Sequence, residues 1–161
     1  MKNKKGYLLI LGLLVVVFVI LYSTGIIGRS VSIKETQSIS ANDVINEVEK
    51  IKNEVKIGLT MNEIKQLYGS NYRLVNDNGD LENGNDEHWT YRFLGDVNYK
   101  PARPDHMIDE EGMLSGKAGV ELFIGWKNEK ITLFTITYLG TDKHIHFYSN
   151  VNGKIEESVI K

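Results

Sequence analysis

Apolar residues fall along this chain in three regimes: an unbroken run near the start, one-sided helical spacing, then alternation through to the end. From Tyr7 to Ile27 there are 21 residues without a charge, and only Gly12, Ser23, Thr24 and Gly25 interrupt the apolar side chains. As a helix this run is roughly 30 Å long, the thickness of a bilayer's hydrocarbon core. Lys2, Lys4 and Lys5 precede it, which predicts a cytoplasmic N-terminus with the rest of the chain outside. A basic start, an apolar middle and small residues at Ser23 and Gly25 also fit a cleaved signal peptide. The run's length favours an anchor in contact with the lipid bilayer through residues 7–27.

The helical regime begins near Ser40. Val44, Val48, Ile51 and Val55 recur on one face, with Glu47, Glu49, Lys50, Lys52 and Glu54 on the other, which predicts an amphipathic helix docked on its own domain. Gly58 breaks it. A second helix, Met61–Tyr68, has both ends written out. Thr60 and Glu63 stand at capping-box spacing, Ile64, Leu67 and Tyr68 share a face, and Gly69 offers a left-handed exit. Strands follow, from a short one around Tyr72, Leu74 and Val75 to His88–Leu94, Val120–Trp126, Lys130–Leu139 and His144–Val151. Asn152-Gly153 is a hairpin signal, after which Lys154–Ile160 adds a last short strand or frays. The expected fold class is α+β, with two N-terminal helices packed on one face of a four-stranded antiparallel sheet, preceded by an N-terminal transmembrane helix. The divisions are a basic cytoplasmic stub at 1–6, the transmembrane helix or signal peptide at 7–27, a linker at 28–39, and an extracytoplasmic domain at 40–161.

Composition narrows the chemistry. The 161 residues include no cysteine, so a disulfide framework, a thiolate metal site and a cysteine nucleophile are excluded. Three of the 19 basic residues lie before the apolar run; residues 28–161 keep 16 beside all 21 acidic ones, a net of −5. That balance argues against nucleic acid as a partner. The acidic stretch Asn76–Glu87 fails the calcium-loop register, because neither start, Asn76 or Asp80, puts glycine at position 6. Gly95–Gly119 holds both prolines and Asp105, His106, Asp109, Glu110 and Glu111. A break this long is a partner-contact loop, a cation site or simply solvated. His144 and His146 lie two apart on a strand, as a two-ligand metal arm or as ordinary edge residues. Trp89, Tyr91 and Phe93 at period two are an aromatic binding platform or the core side of a half-buried sheet. No Gly-x-Ser-x-Gly, His-Glu-x-x-His or phosphate-binding loop appears, so no catalytic residue, metal or cofactor is expected.

Gly58-Leu-Thr-Met-Asn-Glu-Ile-Lys-Gln-Leu-Tyr-Gly69 resembles the glycine-bounded helix motif of the SmpA/OmlA small lipoproteins and of β-lactamase-inhibitor-protein-like domains. Trp89-Thr-Tyr91 resembles their W-x-Y strand, and Val120–Ile131 their strand–turn–strand. The likeness covers roughly residues 44–150. Gly69-Ser-Asn71 stands where the family has Gly-x-Pro, and the lipidated cysteine is missing. The resemblance implies a non-enzymatic, protein-binding module of the bacterial cell envelope, whose open sheet face meets another envelope protein. The candidate contact residues are Trp89, Tyr91, Asp105, His106, Trp126, His144 and His146. A secreted inhibitor released by signal cleavage, or a regulatory subunit of a membrane complex, are the alternative readings.

Overall fold

The structure, a computed structural model, describes residues 39–76 and 84–160. Helices α1 (Ala41–Glu54) and α2 (Met61–Tyr68) come first. Strands β1 (Arg73–Leu74) and β2 (Glu87–Phe93) follow, then helix α3 (Glu110–Leu114). Strands β3 (Val120–Lys127), β4 (Lys130–Leu139), β5 (Ile145–Val151) and β6 (Lys154–Ile160) complete the chain. The strands form one antiparallel meander in chain order.

Alternation decides which residues face which layer. Trp89, Tyr91 and Phe93 lie opposite Ile124, Leu122 and Val120, which lie opposite Phe134, Ile136 and Tyr138. This face packs against Val44, Val48 and Ile51 of α1, Val55 just beyond it, and Ile64 of α2. Tyr72 stacks on Trp89 at 3.8 Å between ring centroids, closing the β1 end of the core. Lys52 reaches across from α1, 3.1 Å from Glu157 and above the Tyr148 ring.

The start of α2 is built as its spacing predicts. Glu63 N–H donates to the Thr60 hydroxyl at 3.3 Å, and Thr60 N–H donates to the Glu63 carboxylate at 2.8 Å, satisfying two of the helix's orphan donors. Its exit differs. Gly69 has φ 78° and ψ −171°, a conformation open to glycine but extended, where a left-handed helical turn was expected. The segment before α2 is sewn to the β3–β4 hairpin, with Gly58 N–H donating to the Ile131 carbonyl at 2.8 Å.

Three parts of the expected architecture are corrected. The sheet has six strands among the described residues, where four were expected, because β1 and β6 both pair fully. β6 carries polar residues on both faces, so alternation does not announce it. Its register comes from Asn152 and Gly153, both at positive φ (51° and 90°), which return the chain so that Val151 faces Lys154. A third helix, α3, joins the two expected, inside the segment read as a loop. The transmembrane helix expected over 7–27 lies outside the described residues, and none of the described helices is long and apolar enough to cross a membrane. Among the described residues the fold is therefore a three-helix, six-stranded α+β unit.

Candidate functional site

The second sheet face, turned away from α1 and α2, carries the polar partners of the core residues. Thr90 and Arg92 alternate with Trp89, Tyr91 and Phe93 along β2, and Arg73 of β1 lies directly opposite Thr90. Glu121 of β3 lies opposite Arg92. Four strand positions thereby set two arginines, a threonine and a carboxylate side by side on one surface.

Glu121 is the hub. Its carboxylate lies 3.4 Å from Arg92 Nη2 and 4.0 Å from Arg73 Nη2. Burial pushes the Glu121 carboxyl above the usual carboxylate range, and the two arginines pull the other way. Arg92 also lies 3.7 Å from Asp109, which brings in the Gly95–Gly119 segment.

That segment folds over the end of the same face. Asp109 caps α3 by accepting from Gly112 N–H at 3.1 Å, and it accepts from the Tyr99 hydroxyl at 3.1 Å. Arg92 and Lys117 both stand within 6 Å of the Tyr99 ring centroid, at 5.7 and 5.5 Å. Met113 and Ala118 form a small second core with Ile145, against which Leu139 and Ile160 pack. The segment's two ends are joined by Asp96 N–H donating to the Lys117 carbonyl at 2.9 Å. Arg73 donates to the Asp105 carbonyl at 3.3 Å, and the Asp105 side chain accepts from Asn76 N–H at 2.9 Å.

Between β1, β2 and the turn Gly95–Pro101 lies a pocket of about 540 Å³. Arg73, Thr90, Arg92, Asp96, Tyr99 and Lys100 contribute to its wall. Thr90 is only 5% exposed. Its Oγ1, and the Nε atoms of Arg73 and Arg92, are buried without a hydrogen-bond partner, an arrangement that is uncommon in folded proteins. The segment exposes large apolar side chains, Val97 at 95%, Leu114 at 60% and Met107 at 47%, of which Val97 lines the pocket.

The residues singled out in the sequence separate into three places. Trp89, Tyr91 and Trp126 are at most 3% exposed, inside the core beneath the helices, so the period-two aromatics form the inner side of the sheet. Asp105 and His106 lie in the segment over the second face, where Asp105 tethers Asn76 and Arg73. His144 stands in the β4–β5 turn with Asp142, and His146 is the second residue of β5. The Asp142 carboxylate lies 3.4 Å from His144 Nδ1 and 2.9 Å from His146 Nε2. These contacts, the His146 hydrogen bond foremost, hold Asp142 well below the usual range, at about 2. Among the described residues no group of three or more ligating side chains is placed to hold a metal ion. In the acidic stretch Asn76–Glu87, Asp86 pairs with Lys127 at 2.9 Å and Asn85 is buried against Thr132; residues 77–83 lie outside the described ones.

Sequence reasoning missed Arg73, Thr90, Arg92, Tyr99 and Glu121. One signal was available: Glu121 is a carboxylate inside the apolar strand Val120–Trp126, and a buried charge needs a cationic partner. No family model, no curated protein and no solved structure matches the chain.

Proposed function

We propose that the domain is a non-enzymatic protein-binding module of the bacterial cell envelope, and that the Gly95–Gly119 segment makes the contact. The observation that carries this reading is the exposure of Val97, Met107 and Leu114 on a segment that is otherwise firmly held. α3, the Tyr99–Asp109 hydrogen bond and the second core fix the backbone, so these apolar side chains are presented and do not fold inward. Contiguous apolar surface rimmed by polar residues marks contact surfaces, and these three side chains are carried by one segment. The partner is another exported protein with an apolar patch of its own. The envelope location rests on the sequence alone, through the lysine-led apolar run that directs the chain out of the cytoplasm. The resemblance to the SmpA/OmlA and β-lactamase-inhibitor-protein-like domains supports the same class of activity.

The test is a double substitution, Val97→Ser with Leu114→Ser, in the full-length chain. Both residues are exposed, so stability should change by no more than about 0.5 kcal/mol. Recovery of the envelope partner after cross-linking in intact cells should fall at least tenfold relative to the unaltered chain. Equal recovery would refute the segment as the contact.

A further inference from the structure

The two edges of the sheet are finished differently. β1 is two residues long, and Asp105 stands beside it, accepting from the Arg73 guanidinium and from Asn76 N–H. β6 runs for seven residues, Lys154–Ile160. It pairs without interruption to β5 and, among the described residues, to no strand on its other side. It holds no proline and no bulge, two of the devices that close an edge.

The turn before β6 sets which backbone groups face outward. Asn152 and Gly153 form a two-residue turn between Val151 and Lys154, and such a turn directs the N–H of its last residue back to the carbonyl of its first. Direction alternates along a strand. Lys154, Glu156, Ser158 and Ile160 therefore hydrogen-bond β5, while Ile155, Glu157 and Val159 turn their N–H and C=O groups away from it. The same three residues place their side chains on the helix-covered face, because Glu157 lies opposite the core residue Tyr148. Ile155 and Val159 are 57% and 41% exposed, one on either side of Glu157.

This arrangement is symmetric, and the symmetry selects the occupant. A second β6, laid antiparallel about a two-fold axis through Glu157, sets Ile155 of each copy against Val159 of the other and Glu156 against Ser158. All the outward N–H and C=O groups of Ile155, Glu157 and Val159 are then paired. A foreign strand has to supply the same apolar–charged–apolar spacing, which this chain carries itself. The two Glu157 carboxylates stand directly opposite, which disfavours the pairing. Each is met by Lys52 of its own copy at 3.1 Å, so the centre of the pairing holds two cations beside two anions. The two-fold axis closes the assembly at two copies and leaves no open β6 edge. We propose that β6 pairs antiparallel with β6 of a second copy of this chain, in register about Glu157, joining the two sheets edge to edge. The pairing is independent of the envelope partner: a side chain at position 155 meets another copy of this chain.

The chain has no cysteine of its own, so introduced cysteines read the register. Glu157→Cys, Ile155→Cys and Val159→Cys are made singly in the full-length chain, and intact cells are oxidised with copper phenanthroline. All three positions are exposed, so folding is preserved. In the proposed register the two 157 positions are a hydrogen-bonded pair, about 5.5 Å apart between Cα atoms, within disulfide reach. The two 155 positions are offset by roughly 13 Å along the strands, as are the two 159 positions, and neither can bridge. Glu157→Cys alone should give a disulfide-linked dimer of this chain. Ile155→Cys alone and Val159→Cys alone should each give at least tenfold less. Co-expression of these two variants, which keeps Glu157 and Lys52, should restore the dimer. No dimer from Glu157→Cys, no dimer from the mixed pair, or equal dimer from Ile155→Cys or Val159→Cys alone would each overturn the proposal.

Discussion

Gly112→Ala is the substitution that most sharply tests how the Gly95–Gly119 segment is held. A Cβ at Gly112 would stand 2.7 Å from Asp109 Cγ and 2.6 Å from Tyr99 Cε1, and closer still to Asp109 Oδ2. These are distances that real Cβ atoms do not show, so something must move. A flexible exposed neighbour would simply swing away. Asp109 is 3% exposed and tied three ways, to Gly112 N–H, to the Tyr99 hydroxyl and to Arg92. Displacing it loses the α3 cap, about 1 kcal/mol, and overpacks the site, about 1–3 kcal/mol more. The expected loss is about 2–4 kcal/mol, read as a lowered midpoint in denaturant with an unchanged slope. Gly116→Ala is the control: Gly116 has φ 69° and nothing within 4 Å of the added carbon, so only backbone strain of about 1 kcal/mol applies. A Gly112→Ala chain within 0.5 kcal/mol of the unaltered protein would refute the claim that Asp109 and Tyr99 lock the segment.

The other expected outcomes are briefer. Glu129 holds φ 60° in the two-residue β3–β4 turn beside Asn128 at φ 50°; Glu129→Gly removes that strain and should raise stability by roughly 0.5–1 kcal/mol in a denaturant melt. Thr60→Ala deletes one half of the α2 capping box and should cost about 1 kcal/mol, while the Glu63 carboxyl, held low chiefly by its hydrogen bonds from Thr60, should titrate at higher pH by carbon-13 NMR. Asp142 should titrate at about 2. Its folded-state value is depressed, so whatever stability it contributes is fully present above its ordinary value of 3.8 and is lost as pH falls through about 2. His146→Ala should move that titration back towards 3.8, and an unmoved midpoint would count against the His146 hydrogen bond as its main cause.

How much of this was legible in the sequence depends on whether a residue's role is local. α1 and α2 could be read because Val44, Val48, Ile51 and Ile64 repeat on one face and Thr60 with Glu63 marks a start. The inner face of the sheet could be read from Trp89, Tyr91 and Phe93, although the same pattern does not say that helices cover it. β6 could be read only through its turn, Asn152-Gly153, which left a short strand and a frayed end both open, since residues 154–159 are exposed and no burial pattern is imposed on an edge strand that little covers. α3 is too short for periodicity; its one local mark is Asp109, three residues before the N–H it caps. The pocket was least legible. Arg73, Thr90, Arg92 and Glu121 meet only through the register of three strands, in which one ladder pairing sets Arg73 opposite Thr90 and another sets Arg92 opposite Glu121. Register is written in the buried pattern and the turns of the whole sheet, not in the residues it brings together.

The central claim is that the Gly95–Gly119 segment is where a partner docks. It is tested most directly by placing a photo-activated cross-linking residue, one position at a time, at Val97, Met107 and Leu114, and for comparison at Leu67 and Ile155, which are also exposed, at 44% and 57%, but lie on α2 and β6. The account predicts one envelope protein captured in high yield from the first three positions and little or none from the other two. Capture of that protein from Leu67 or Ile155, with none from the segment, would contradict it.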